Sequence, residues 1–277
     1  MKEVSDFLIK LALAEDIGPG DITTRAIVPK DRNAKAVIMA KEAGVIAGLE
    51  IAKDVFKHLS RNIKFISGVK DGTFVKKGKV LAAIIGPAAT IITGERVALN
   101  FIQHLSGVAT LTNKFVARVK GQGSRVKILD TRKTIPGMRV LEKYAVRMGG
   151  GANHRMGLHD AVLIKDNHIM IAGGIEKAIK AAMAKYGRKE IEVEARTIEE
   201  VKKAVRAGAD RILLDNMNIT QLKESVKLCK KARIKTEASG GVNLNNVKAI
   251  AKTGVDFISV GALTHSAKAL DISLKIL

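Results

Sequence analysis

Between Asp130 and His168 lie Arg132, Lys133, Arg139, Lys143, Arg147, His154, Arg155, His159, Lys165 and His168, set around Gly149, Gly150 and Gly151. Guanidinium forks bind carboxylate and phosphate in planar pairs, and glycines let a ligand approach the backbone. The stretch therefore reads as a pocket for a heavily anionic small molecule. The plain alternative is a solvated basic loop, since charged residues are mostly exposed. Two carboxylates, Glu194 and Asp215, close successive apolar runs further along. Among so many cations they could hold Mg2+ directly or through water, accept hydrogen bonds from sugar hydroxyls, or balance the basic cluster. Glu192 shares a strand face with Glu194, so either could be the important one. Lys133 or Lys165 could form a Schiff base, although clustered cations suit anion binding equally well. A nucleophilic triad has no support, and the histidines lack zinc-site spacing with Cys or Glu.

Ordinary elements have to bring these residues together. After Ser106 the chain shows short β-branched runs at 126–130, 161–165, 190–195, 211–215, 234–239 and 257–261. Helical patterns over 174–186, 197–207, 218–232 and 243–253 separate the later ones. Such alternation predicts a parallel sheet with both faces covered. The C-terminal ends of the runs carry Asp130 to Lys133, Lys165-Asp166, Glu194, Asp215-Asn216, Glu237 to Gly241, and Gly261. Active sites of α/β barrels are built at those ends. Helix capping explains one or two polar ends, but not carboxylates alternating with cations at nearly every one. Six runs fall short of eight, which predicts an incomplete or irregular barrel. Glycine loops follow the last two runs: Ser239-Gly240-Gly241 before a helix from about Asn243, and Val260-Gly261 leading through Thr264, His265 and Ser266 into another helical segment. Both read as phosphate cradles, because amides at a helix N-terminus attract anions.

The first part of the chain has a different rhythm. Val4, Phe7, Leu8 and Leu11 predict an opening amphipathic helix, and residues 15–23 a turn. Strands are expected on either side of Gly44, then a helix over 50–59. Short antiparallel strands follow, with tight turns at Asp71-Gly72 and Lys77-Gly78. Thr93 caps an expected helix from Gly94 to about Leu105. Arg96 on that helix is a functional candidate, because its neighbour Glu95 cannot face it one residue away.

The 277 residues carry a formal charge of +21, which attracts anionic partners without choosing between nucleic acid and a metabolite. No Trp and two Tyr leave little material for stacking bases, which argues against nucleic acid. The single cysteine, Cys229, excludes an intramolecular disulfide and reads as a core residue on a helix. The N-terminus lacks the apolar core of a signal peptide, and the longest apolar stretch is interrupted at Gly86-Pro87. A cytoplasmic protein without a membrane partner is expected.

Read in order, EDIGPGDIT (15–23), ERVALN (95–100), SGVAT (106–110), DTRKTIPGMRVLEKYAV (130–146), GGGANHRMGLHDAVLIKDNH (149–168), EVEA (192–195), LLDN (213–216), EASGG (237–241) and SVGALTHS (259–266) resemble the quinolinate phosphoribosyltransferases nearly end to end. The resemblance implies an α/β fold: an N-terminal α/β sandwich over 1–110, completed by 265–277, then an irregular, incomplete α/β barrel over 111–264. It implies a homodimer or a hexamer built as a trimer of dimers, with active sites shared between subunits and Arg96 reaching the neighbour's quinolinate. Thr131, Arg132, Lys133, His154, Arg155 and Lys165 would surround the quinolinate carboxylates and the phosphoribosyl group. Glu194 and Asp215 would lie near the ribose hydroxyls and Mg2+. Lys133, Lys165, Glu194 and Asp215 would form the catalytic set. Ser239, Gly240 and Gly241, with Ser259, Val260 and Gly261, would bind the 5′-phosphate. The implied reaction joins quinolinate to phosphoribosyl pyrophosphate in NAD biosynthesis, giving nicotinate mononucleotide, pyrophosphate and CO2. A related transferase acting on nicotinate or another acceptor is the alternative.

Overall fold

A computed structural model describes residues 2–121, 126–187 and 189–277. They form two compact units: residues up to Asn113 with Thr134–Gly150 and Leu263–Leu277, and Lys114–Lys133 with Gly151–Ala262.

The first unit opens with α1 (Lys2–Ile17) and α2 (Ile22–Ile27), the latter capped by the Asp21 carboxylate accepting the Thr24 N–H at 2.9 Å. Then come β1 (Asn33–Ala40), β2 (Gly44–Val45), α3 (Leu49–Leu59), β3 (Lys64–Ser67), β4 (Phe74–Val75) and β5 (Val80–Pro87). Ala36, Ile38 and Ala40 of β1 are buried at a period of two, which fixes the face that meets the core. Pairing skips along the chain: β2 pairs with β4 and β3 with β5, rather than each with its neighbour in sequence. From β5 the chain enters α4 (Ala88–Val119), 32 residues long, where a helix of about three turns from Gly94 was expected. Thr93 lies inside it and caps nothing; its hydroxyl donates to Asp21 at 2.9 Å. The helix runs on past Ser106 because Val108, Ala109, Thr112 and Phe115 continue the buried stripe. Gly107 is tolerated mid-helix for a packing reason: a Cβ there would sit 2.2 Å from the Lys268 carbonyl oxygen.

The remaining elements are β6 (Lys127–Leu129), α5 (Arg139–Met148), β7 (Val162–Ile164), α6 (Asp166–Ala172), α7 (Ile175–Tyr186), β8 (Ile191–Ala195), α8 (Ile198–Arg206), β9 (Arg211–Asp215), α9 (Ile219–Lys231), β10 (Lys235–Ser239), α10 (Val247–Ala251), β11 (Phe257–Ser259), α11 (Ala262–His265) and β12 (Ile272–Ile276). The last of these returns to the first unit and pairs antiparallel with β1, giving a sheet of order β12-β1-β5-β3. In the second unit all six strands are parallel, in the order β6-β11-β10-β9-β8-β7. Among the described residues no ladder joins β6 to β7, so the sheet stays open, in keeping with an incomplete barrel. Thr197 and Asn218 start α8 and α9 with capping boxes, closed by Glu200 and Gln221. Register aligns the C-terminal strand ends: Asp215 stands beside Ser239, and Ser259 beside Leu129. Among the described residues no helix is long and apolar enough to cross a membrane.

Candidate active site

The second unit gathers the predicted residues along those strand ends in two adjoining groups. The first is organised by β8, whose five residues are all buried and which points Glu192 and Glu194 to the same face. Glu192 faces His154. The imidazole Nε2 lies 3.2 Å from Glu192 Oε2 and 3.4 Å from Glu237 Oε1, with Glu237, on β10, fully buried. On its other side the Glu237 carboxylate meets Arg211 Nη1 at 3.3 Å and accepts from the Ser259 hydroxyl. A third buried carboxylate, Asp130 at the end of β6, accepts the His154 backbone N–H at 2.9 Å and the Asn153 side-chain amide. His154 is thus fixed through both backbone and ring.

Burial opposes a charge on His154, but Glu192 and Glu237 outweigh it and raise its pKa to about 9. Burial also pushes Glu192 up, while His154 and Arg211 keep Glu237 ionised. The Arg155 backbone N–H points at His154 Nδ1 from 2.7 Å, a contact that the neutral ring accepts and the imidazolium cannot; in both forms a proton sits on Nε2, between the carboxylates. His154, Glu192 and Glu237 have ligand atoms within 4.8 Å of one another and could surround a small metal ion. A proton on Nε2 occupies the lone pair a metal would use, so this trio suits a shared proton better.

Arg155 follows directly. Its Nη1 donates to the Ala161 carbonyl at 3.2 Å, and its buried Nε has no hydrogen-bond partner. Burial, followed by the nearby positive charge of Arg132, lowers its pKa. Two guanidiniums near enough to feel each other's charge are chemically suited to an anion that neutralises both. Thr131 shapes the start of this loop, its hydroxyl accepting the Lys133 N–H at 3.0 Å, and the Lys133 side chain is exposed.

The second group holds Glu194, Asp215 and Lys165. Burial and then the neighbouring Asp215 charge push Glu194 up, while Lys165 and Arg196 draw it back. Asp215 accepts from the Asn216 side-chain amide at 2.8 Å. Here the ambiguity between the two glutamates of β8 resolves: Glu192 serves His154, and Glu194 faces Asp215. Beside them the Ser239-Gly240-Gly241 loop interlocks with Asn216. Gly240 has φ +91°, and a Cβ on it would lie 2.2 Å from Asn216 Oδ1. Asn216 itself is left-handed at φ 55°, and its N–H donates to the Ser239 carbonyl at 2.9 Å. The following helix starts at Val247, not near Asn243. Asn243 instead accepts the N–H groups of Asn245 and Asn246 and turns the loop. Ser259 and Val260 are buried beside β6, the Val260 N–H donating to the Leu129 carbonyl at 2.9 Å. Gly261 leads straight into α11, so the expected helix after Ser266 is replaced by a connection to β12.

Two family models cover the chain: the quinolinate phosphoribosyl transferase N-terminal domain over residues 21–106, and the C-terminal domain over 108–275. A probable nicotinate-nucleotide pyrophosphorylase (carboxylating) of Bacillus subtilis is 48% identical, across 95% of this chain and 90% of its own. The chloroplastic nicotinate-nucleotide pyrophosphorylase (carboxylating) of Arabidopsis thaliana is also 48% identical, across 97% of this chain and 82% of its own. The solved nicotinate-nucleotide pyrophosphorylase of Francisella tularensis superposes with a TM-score of 0.95 at 42% identity, covering 100% of this chain and 97% of that one. The chain belongs to the quinolinate phosphoribosyltransferase family.

Within this quinolinate phosphoribosyltransferase fold, the run of cations from Arg132 to His168 divides. Arg132, Lys133, His154, Arg155 and Lys165 belong to the second unit, whereas Arg139, Lys143 and Arg147 ride on α5 in the first. Lys143 is fully buried, and the Arg147 guanidinium sits 5.9 Å from the Tyr144 ring centroid. Arg96 lies exposed on the part of α4 that belongs to the first unit. Arg211 and Arg196 were not singled out from sequence, and Asp130 only as a polar strand end without a role. Glu237 and Asp130 carried a signal, since an acid within or closing an apolar strand run needs a buried partner; Arg196, one residue beyond β8, carried none.

Proposed function

We infer that Arg132 and Arg155 receive the two carboxylates of quinolinate, and that the strand-end acids and glycine loops receive the phosphoribosyl donor. The chain is a carboxylating quinolinate phosphoribosyltransferase. It joins quinolinate to phosphoribosyl pyrophosphate, releasing pyrophosphate and CO2 and leaving nicotinate mononucleotide. The observation that carries the residue assignment is the buried Arg155 Nε, left without a hydrogen-bond partner in a guanidinium that the charge of Arg132 opposes; a bound dianion would answer both.

Loss of pyrophosphate leaves ribose C1 oxocarbenium-like, and the pyridine nitrogen attacks it. Once alkylated, that nitrogen is cationic and stabilises the carbanion left when the adjacent carboxylate departs as CO2. The protein's task is orientation and charge matching more than proton transfer. Lys133, Thr131 and Lys165 complete the anion-binding wall, and His154 presents a ring fixed in one orientation. Ser239, Gly240 and Gly241, with Ser259, Val260 and Gly261, cradle the 5′-phosphate. Glu194 and Asp215 accept the ribose hydroxyls and supply hard oxygen donors of the kind Mg2+ prefers, directly or through water. Bound there, Mg2+ would neutralise charge on the departing pyrophosphate. Gly240→Ala should raise the KM for phosphoribosyl pyrophosphate by about tenfold or more, because a Cβ collides with Asn216 at a left-handed backbone position. Steady-state kinetics with an unchanged KM would detach this loop from the phosphate.

A shared-site homodimer, alone or within a trimer of dimers, is the assembly we propose. Phe7 and Leu11 on α1, Ile22 and Ile27 on α2, and Met170 and Ile171 on α6 are large apolar residues left exposed, which suits burial against a second copy. Mixing Arg96→Ala with Lys165→Ala should restore part of the lost activity, since one site of each heterodimer would then be intact. With subunit exchange verified, no recovery would rule out a site shared through Arg96. A cytoplasmic location accords with the single buried thiol of Cys229. The activity itself is tested by following CO2 with quinolinate and with nicotinate as acceptors. Quinolinate-dependent CO2 is expected; turnover of nicotinate alone would transfer the chain to the alternative acceptor.

A further inference from the structure

Arg196 has no part in the roles above, yet it sits on the acids they invoke. It is the first residue after β8, with 54% of its side chain exposed, and its guanidinium reaches three carboxylates. Nη2 lies 2.9 Å from Asp166 Oδ2 and 3.2 Å from Glu194 Oε1, and Nε lies 3.4 Å from Asp215 Oδ2. The three acids come from separate segments: the start of α6, the end of β8 and the end of β9. Three carboxylates converging on one guanidinium need positive charge among them, and Arg196 is the cation whose side chain contacts all three.

We propose that Arg196 is a tethered counter-ion that occupies the Glu194–Asp215 pair when no divalent cation is bound there and is displaced when one binds. The proposal rests on the reading of that pair as the Mg2+ site. A divalent cation ligated by Glu194 and Asp215 would compete with Arg196 for the same carboxylates, because the two positive charges repel each other across them. Displacement is easy because the side chain is long and solvated, and each of its three contacts engages a single oxygen instead of a two-pronged fork. Residue 196 therefore sets how tightly the acidic pair holds a cation, without touching the reacting atoms.

The experiment titrates Mn2+ alone into the full-length protein, followed by electron paramagnetic resonance, for wild type, Arg196→Gln, Arg196→Lys, Glu194→Gln and Asp215→Asn. Arg196→Gln should bind Mn2+ roughly three- to tenfold tighter, and Arg196→Lys should stay within about twofold of wild type. A structural readout accompanies it: in EDTA, Arg196→Gln should melt below wild type, and Mg2+ should raise its midpoint more than that of wild type. Unchanged or weaker Mn2+ binding in Arg196→Gln overturns the tether. The acid variants test the underlying reading separately. Mn2+ binding as tight as wild type in both would remove the acidic pair as a cation site, and the tether with it, whatever Arg196→Gln does.

Discussion

An Arg155→Ala enzyme loses about two to three orders of magnitude in kcat/KM for quinolinate while remaining as stable as the parent; that is the expected result of removing one of the two guanidiniums proposed to receive a dianion. The size follows from losing a charge-assisted, two-pronged contact in a partly buried place, about 3–4 kcal/mol of binding to substrate and transition state together. The stability expectation follows from the other side of the same geometry. Arg155 is half-buried, its Nε has no hydrogen-bond partner, and Arg132 repels it, so the unliganded fold gains little from its charge. Arg155→Lys keeps the charge and loses the fork, and should recover only part of the activity. Near-parental kinetics in Arg155→Ala would take this residue out of the quinolinate site. A large fall in unfolding free energy would instead make it a structural arginine.

Glu237→Ala should have the opposite profile: a loss of about 3–5 kcal/mol in unfolding free energy, because it strips a buried carboxylate from Arg211, His154 and Ser259 at once. Glu237→Gln retains hydrogen-bonding atoms and should lie between the two. The variant also carries a pH signature. With Glu192 and Glu237 in place, the folded His154 pKa is raised from 6.5 to about 9. A raised folded pKa contributes stability that is fully present below the ordinary value and is lost as pH rises through the folded one. Wild-type stability should therefore decline between pH 6.5 and about 9. In Glu237→Ala that decline should shrink. Urea unfolding across this range measures both quantities; a loss below about 1 kcal/mol would show that water or a rearranged neighbour replaces the carboxylate, and an unaltered pH slope would show that Glu237 does not hold the imidazole.

The parallel sheet was legible because its strands are largely apolar runs that recur at regular intervals, and the candidate site because polar residues collect at the same end of each strand. Periodicity read less well where two elements run together. Nothing in residues 88–119 interrupts the helical stripe except glycines, and those glycines answer to close packing that sequence does not display, as at Gly107. The segment 134–150 follows a barrel strand in sequence but packs with the first unit, and no local pattern announces such an excursion. Spacing could not choose between Glu192 and Glu194, since two residues on one strand face are equivalent until their neighbours are known. The neighbours come from β9, β10 and the loop before β7, all distant in sequence. Arg196 was invisible for a related reason: a charged residue just past a strand is ordinary, and only the meeting of three remote acids around it gives it meaning.

The interlock of Gly240 with Asn216 bears on which sugars the enzyme accepts. Asn216 and Gly240 are both left-handed, the Asn216 N–H donates to the Ser239 carbonyl, and Gly240 has no space for a Cβ, so the two loops have no room to slide past each other. One loop carries the proposed phosphate cradle and the other begins at Asp215, so on that proposal the two would act as a ruler whose marks are the 5′-phosphate and the ribose hydroxyls. A donor lengthened by one methylene between ring and phosphate can match only one mark, and should inhibit far more weakly than ribose 5-phosphate. Equal inhibition would show that the ruler flexes.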